Sequence, residues 1–151
     1  AEGIVEEGVV RRFPLPSTPL RMRRFSYPHT IDNGHGERLT FLRRVPGATG
    51  DRLEGENLVA PGAGPPMHVH HYQAEGLTVL EGRLAYERPG ETPRYAGPGE
   101  SVTFAPGEAH RFWNAGDTEL RCAAWIEPAD NVEYFLAEVF AFSGTPFKVF
   151  G

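Results

Sequence analysis

The stretch from Gly62 to Gly82, GAGPPMHVHHYQAEGLTVLEG, constrains the fold of this chain more than any other. His68 and His70 stand two residues apart, so on an extended strand both imidazoles point to one face and Val69 to the other. Such a pair can grip one metal ion. Glu75 follows His70 by five residues, an odd separation that would put it on the opposite face of a continuous strand. A turn through His71 to Ala74 cancels the mismatch and places Glu75 on a neighbouring strand. From there Leu77 and Val79 share its face and Gly76, Thr78 and Leu80 take the other, until Glu81-Gly82 turns the chain again. A second stretch, GESVTFAPGEAHRFWN from Gly99 to Asn114, delivers His110 after a Pro106-Gly107 turn. Three neutral imidazoles and one carboxylate form a borderline-hard donor set, suited to one divalent Fe, Mn, Ni, Cu, Co or Zn ion and ill suited to Ca or Mg. Any one of these histidines alone is more often a hydrogen-bonded surface or core residue. Four such groups at matched spacing carry more weight.

The spacing Gly62-x5-His68-x-His70-x4-Glu75-x6-Gly82 matches the first cupin motif at every fixed position. Gly99, His110 and Asn114 match the second at the usual intervals, while its Pro-x-Gly turn reads Ala105-Pro106-Gly107, the proline displaced by one residue. Over about a third of its length the chain therefore resembles the cupin superfamily. The resemblance implies an all-β fold, a cupin-type antiparallel β-barrel (a double-stranded β-helix, jelly-roll-like). It also implies that His68, His70, Glu75 and His110 are metal ligands inside that barrel. It spans enzymes, sugar-binding proteins, storage proteins and regulators, so it does not by itself select an activity.

With 151 residues, 40% of them hydrophobic, the chain is long enough for one sizeable core and short for two. Its 18 glycines and 14 prolines fall between short apolar runs, the pattern of a many-turn all-β domain. The single cysteine, Cys122, excludes an internal disulfide and fits a reducing compartment, so a cytoplasmic location is the expectation. No apolar run is long enough for a membrane span. The net charge of −5 is uneven: residues 1–52 hold nine bases and six acids (+3), residues 53–151 six bases and fourteen acids (−8). The overall acidity argues against nucleic acid as a partner, because phosphate binding needs a basic footprint.

In chain order, residues 1–30 read as an arm or docked edge, with Pro14, Pro16, Pro19 and Pro28 among Arg11, Arg12, Arg21, Arg23 and Arg24. Asn33 to Gly36 is a turn, and Leu39, Phe41 and Arg43 alternate with Thr40 and Leu42 on the strand that follows. Residues 31–128 read as the barrel, with strands at Arg52–Ala60, Arg83–Arg88, Arg94–Ala96, Ser101–Phe104, His110–Asn114 and Leu120–Glu127. On the first of these Glu54 and Glu56 share one face, which either lines a site or, as is more common for such a pair, faces water. Residues 129–151 form a C-terminal amphipathic helix and tail: Val132, Phe135, Leu136, Val139 and Phe140 make an apolar stripe, Asp130 or Asn131 caps it, and Gly144 and Pro146 end it. Phe147, Val149 and Phe150 then leave apolar side chains to be covered. Together with the basic arm opposite an acidic body, they point to a homodimer.

Around the metal set, Phe104 and Phe112 are expected to line a substrate pocket by strand parity, as is Gln73 if its strand begins early. His71 points away. Four protein ligands leave about two positions open on a six-coordinate ion, so a small organic ligand or substrate is the expected partner. Glu75 is the candidate catalytic base. A dioxygenase-like oxidoreductase leads, with a non-catalytic metal- or ligand-binding module and a carbonyl or sugar isomerase as alternatives.

Overall fold

The computed structural model describes residues 2–6, 9–12 and 25–143, with side chains from 25 to 142. The arginines and prolines expected in the arm between 13 and 24, the helix stop at Gly144 and Pro146, and the apolar tail lie outside the described residues. The elements in order are β1 (Glu2–Glu6), β2 (Val9–Arg12), β3 (His29–Asp32), β4 (Glu37–Gly47), β5 (Gly50–Val59), β6 (His68–His70), β7 (Ala74–Glu81) and β8 (Leu84–Glu87). They continue as β9 (Arg94–Ala96), β10 (Ser101–Phe104), β11 (Arg111–Asn114), β12 (Leu120–Glu127) and the helix α1 (Val132–Ser143).

All pairings are antiparallel. A six-stranded sheet runs β10-β7-β12-β5-β4-β3, and two smaller sheets run β11-β8-β9 and β2-β1-β6. The small sheets meet at one bridge, where His68 N–H donates to His110 O and His110 N–H donates to His68 O, both at 2.9 Å. Residues 2–6 dock as an edge: β1 pairs along β6 with Ile4 opposite His68 and Glu2 opposite His70.

Alternation builds the core. On β7, Glu75, Leu77 and Val79 turn inward while Leu80 is exposed, and on β5 the buried set is Leu53, Gly55, Asn57 and Val59. The outward Glu54 and Glu56 pair with Arg43 at 3.0 Å and Arg121 at 3.2 Å, which leaves them no part in the interior. Leu77, Val79, Leu84, Phe104, Phe112 and Leu120 form the main cluster. Each such side chain, fully buried, contributes roughly 1.5–3 kcal/mol of hydrophobic stabilisation. A second cluster of Phe41, Leu53, Ile126, Ala129 and Val132 seats the helix on the sheet.

One expected alternation fails. Phe41 pairs with Gly55 and Arg43 with Glu54, so Leu42 is an inserted bulge residue. The bulge reverses parity, turning Arg43 out to solvent while Phe41 stays 1% exposed.

Side-chain caps replace missing backbone partners at the turns. Asn114, 1% exposed, donates from Nδ2 to Val59 O (2.8 Å) and Thr118 O (2.7 Å) and accepts Gly116 N–H on Oδ1 (2.8 Å). The displaced proline leaves the turn before His110 intact: Gly107 holds φ +78° and donates its N–H to His70 O at 2.8 Å. At Gly64 a Cβ would lie 2.1 Å from Phe112 O, so only glycine lets the segment before β6 pass this close to β11.

The helix starts where the stripe predicts, with Asn131 O accepting the Phe135 N–H at 3.2 Å. Its first turn is fixed by Arg44, which grips Glu133 with Nε at 2.8 Å and Nη2 at 2.6 Å, and Tyr27 Oη donates to the same carboxylate. Burial raises the Glu133 carboxyl, but these partners outweigh it and hold the group below its usual range. No helix among the described residues is long and apolar enough to cross a membrane.

Candidate metal centre

His68 and His70 come from β6, Glu75 from the start of β7 after the His71–Gln73 turn, and His110 from the residue before β11. Their side chains converge, with one ligand atom from each residue within 4.8 Å of all the others. Glu75 Oε2 is the hub, 2.9 Å from His110 Nε2, 3.2 Å from His70 Nε2 and 3.7 Å from His68 Nε2. His70, Glu75 and His110 are buried and His68 nearly so.

The outer sides of the rings show what this arrangement accommodates. His68 Nδ1 faces Pro66 O at 2.9 Å and His110 Nδ1 faces Glu108 O at 3.0 Å, so each Nδ1 carries a proton donated to a carbonyl. For either Nε2 to donate to Glu75 as well, its ring would have to be an imidazolium. Burial opposes that by pushing the His68 pKa down, against the pull of Glu75. A divalent cation among the four groups removes the conflict, since each Nε2 then offers a lone pair while its Nδ1–H stays bonded. The donor set and its surroundings therefore fit a transition metal. The Glu75 carboxyl is raised by burial but lowered further by His110, His68 and His70, leaving it well below the usual carboxylate range and ionised near neutrality.

The expected pocket residues divide. Phe112 lines a cavity of about 100 Å³ together with His68, His70 and Glu75. Phe104 is not in that wall; its ring stacks flat on His110, centroids 3.7 Å apart and planes 2° from parallel, and so fixes the imidazole from behind. Gln73 is not in the wall either. The strand begins at Ala74 rather than earlier, and Gln73 Nε2 donates to Pro128 O (2.8 Å) and Ala129 O (3.0 Å), tying the turn before Glu75 to the chain leaving β12. His71 stays outside the cluster, as parity requires.

The rest of the wall is mostly apolar and comes from elements far from the histidines in sequence: Leu39 and Phe41 of β4, Leu53 and Asn57 of β5, Ala124 to Ile126 of β12. The α1 stripe of Phe135, Leu136, Val139 and Phe140 completes the lining. The outward reading of Glu54 and Glu56 already implied that Leu53, Gly55, Asn57 and Val59 face inward. That signal could have identified Asn57.

Residues 56–127 match the family model described as Cupin domain. The chain is similar to "Epoxidase atD" of Aspergillus terreus, 30% identical over 129 residues covering 83% of this chain and 36% of that protein. It is also similar to "Polyketide synthase CurC" of Streptomyces cyaneus, 33% identical over 94 residues, 62% of this chain and 60% of that one. The chain thus spans between a third and two thirds of the length of these relatives. Among solved structures, a Cupin 2 conserved barrel domain protein from Salinispora arenicola superposes with a TM-score of 0.54 at 21% identity, covering 86% of this chain and 98% of that one. At that identity the likeness concerns the fold.

Proposed function

This chain belongs to the cupin superfamily, and from that premise we propose that it is a metal-dependent oxidoreductase of the dioxygenase kind, acting on a small, largely apolar organic molecule. The observation that carries the reading is the cavity wall: His68, His70 and Glu75 stand in the same surface as Leu39, Leu77, Phe112 and the helix stripe. A ligand packed on those apolar side chains meets the donor cluster directly. One of the relatives is named as an epoxidase, which supports an oxidative reaction on an organic molecule. A sugar isomerase is less well supported, because a polyhydroxylated substrate needs many polar partners and this wall offers few.

His68, His70, Glu75 and His110 would hold the metal, which when bound supplies Lewis acidity and electron transfer toward dioxygen for a chelating substrate. Phe104 keeps the His110 ring from rotating, and the carbonyls of Pro66 and Glu108 fix two tautomers. Glu75, ionised across the neutral range, accepts the proton that an enediol, catechol or β-diketone loses on binding. The α1 stripe adds apolar surface beside that proton transfer.

The test loads the protein anaerobically with Fe, Mn, Ni or Cu and offers catechols, enediols and β-diketones while an oxygen electrode records uptake. At least one pairing is expected to bind and consume oxygen. Glu75→Gln is expected to lower turnover about 10²–10⁴-fold while ligand affinity per metal-loaded protein changes far less. Binding with a flat electrode in every metal form would favour the non-catalytic module instead.

A further inference from the structure

Among the described residues, the charged, imidazole and amide side chains in the cavity wall have partners, with one exception. Glu37 takes the Asn33 Nδ2–H at 2.7 Å, Arg38 donates to Asp32 at 3.3 Å, and His68 and His70 face Glu75. Asn57 is 8% exposed, and its Oδ1 is buried with no hydrogen-bond partner among the described residues. Its place on β5 explains why. Asn57 falls on the inward face between Gly55 and Val59, and its cross-strand neighbours are Leu39 on β4 and Cys122 on β12, neither of which offers an oxygen or nitrogen from its side chain.

A buried amide oxygen held without a partner among apolar side chains weakens the empty protein, and an apolar residue of similar shape would not. It gains a partner when a polar group enters the cavity. We infer that Asn57 is a specificity-determining contact that pairs with a hydroxyl or N–H on the far side of a small, otherwise apolar ligand, and this rests on reading the cavity as the ligand site. A hydroxyl can pair with either end of the amide, so the assignment does not depend on which end is turned inward.

The contact lies apart from the metal cluster. Cys122 faces Asn57 on one side and Val79 on the other, so Asn57 is two strands across and four residues along from Glu75. By strand spacing and rise, that is roughly 16 Å between Cα atoms on a flat sheet, shortened by the inward reach of both side chains. The favoured ligand class is therefore an apolar, preferably aromatic, body with a polar group at the end remote from its metal-chelating end.

Binding of two near-isosteric probes, p-cresol and p-xylene, to the full chain loaded with redox-inert zinc tests this without turnover. Wild type is expected to prefer p-cresol. Asn57→Leu and the smaller Asn57→Ala are each expected to lower p-cresol affinity about tenfold, the loss of one hydrogen bond, with p-xylene affinity held or raised. Zinc content should stay at the wild-type level, and the melting temperature of Asn57→Leu should not fall. If wild type does not discriminate between the probes, or if both variants keep its preference, the inference is overturned. A flat oxygen electrode with Asn57-dependent discrimination intact would sink the oxidoreductase reading and leave this one standing, whereas oxygen uptake without such discrimination would do the reverse.

Discussion

Replacing Glu37 by glutamine removes a carboxyl at the cavity edge that burial pushes up to about 7 from an ordinary 4.5, against the lowering effect of the Asn33 hydrogen bond. The folded state thus favours the protonated form. Below the unfolded value both states carry the proton and the group contributes nothing adverse. As pH rises from there through about 7, the unfolded chain ionises freely while the folded one resists, and stability is lost. The rise from 4.5 to about 7 corresponds to roughly 3 kcal/mol if undiluted, at about 1.4 kcal/mol for each factor of ten. Glu37 is only half-buried by its exposed area, so water screens part of this and roughly 1–2 kcal/mol is the expected effect. Glutamine keeps an oxygen for Asn33 and cannot ionise. Urea unfolding of both proteins at pH 4 and pH 8.5 should therefore show Glu37→Gln gaining about 1–2 kcal/mol relative to wild type between the two pH values. A constant difference at both would refute the claim that burial holds this carboxyl protonated.

His68→Ala, His70→Ala and His110→Ala should each weaken metal binding at least about 100-fold, read by elemental analysis after dialysis against a chelator; full occupancy in all three variants would refute the ligand assignment. Wild-type occupancy should also fall as pH drops below about 6.5, because an imidazole must be neutral to ligate. Asn114→Ala leaves Val59 O, Thr118 O and the Gly116 N–H without their partner, of which the first is fully enclosed. It should cost about 3 kcal/mol by urea unfolding, and a loss under about 1 kcal/mol would show that water replaces the amide at all three.

The sequence was most legible where partners are close along the chain. His68, Val69 and His70 follow strand parity, the His71–Gln73 turn brings Glu75 round, and β9, β10 and β12 occupy the residues read for them. The apolar stripe from Val132 to Phe140 likewise appears as a helix whose face meets the sheet. What local pattern could not show was decided by distant pairing. The Leu42 bulge exists because Phe41 aligns with Gly55 and Arg43 with Glu54 eleven residues on, a register that no window around Leu42 contains. Gln73 was open to a pocket role until Pro128 and Ala129 presented two carbonyls to its amide. A docked edge is one of the two readings of residues 1–30, but its partner strand is not legible, since nothing in Glu2 to Glu6 names His68 or His70 as its neighbour.

That division separates the two halves of the candidate site. The donor cluster is assembled by two short stretches whose spacing can be read directly, and it defines a range of chemistry rather than a substrate. The wall that would select a substrate is assembled from β4, β5, β12 and α1, elements brought together by non-local pairing and by the grip of Arg44 on Glu133. Substitutions in the cluster should therefore change whether a reaction occurs, and substitutions at Leu39, Asn57 or Phe140 which molecule undergoes it. Asn57 is the sharpest instance, because in a mostly apolar wall its buried Oδ1 has no hydrogen-bond partner among the described residues.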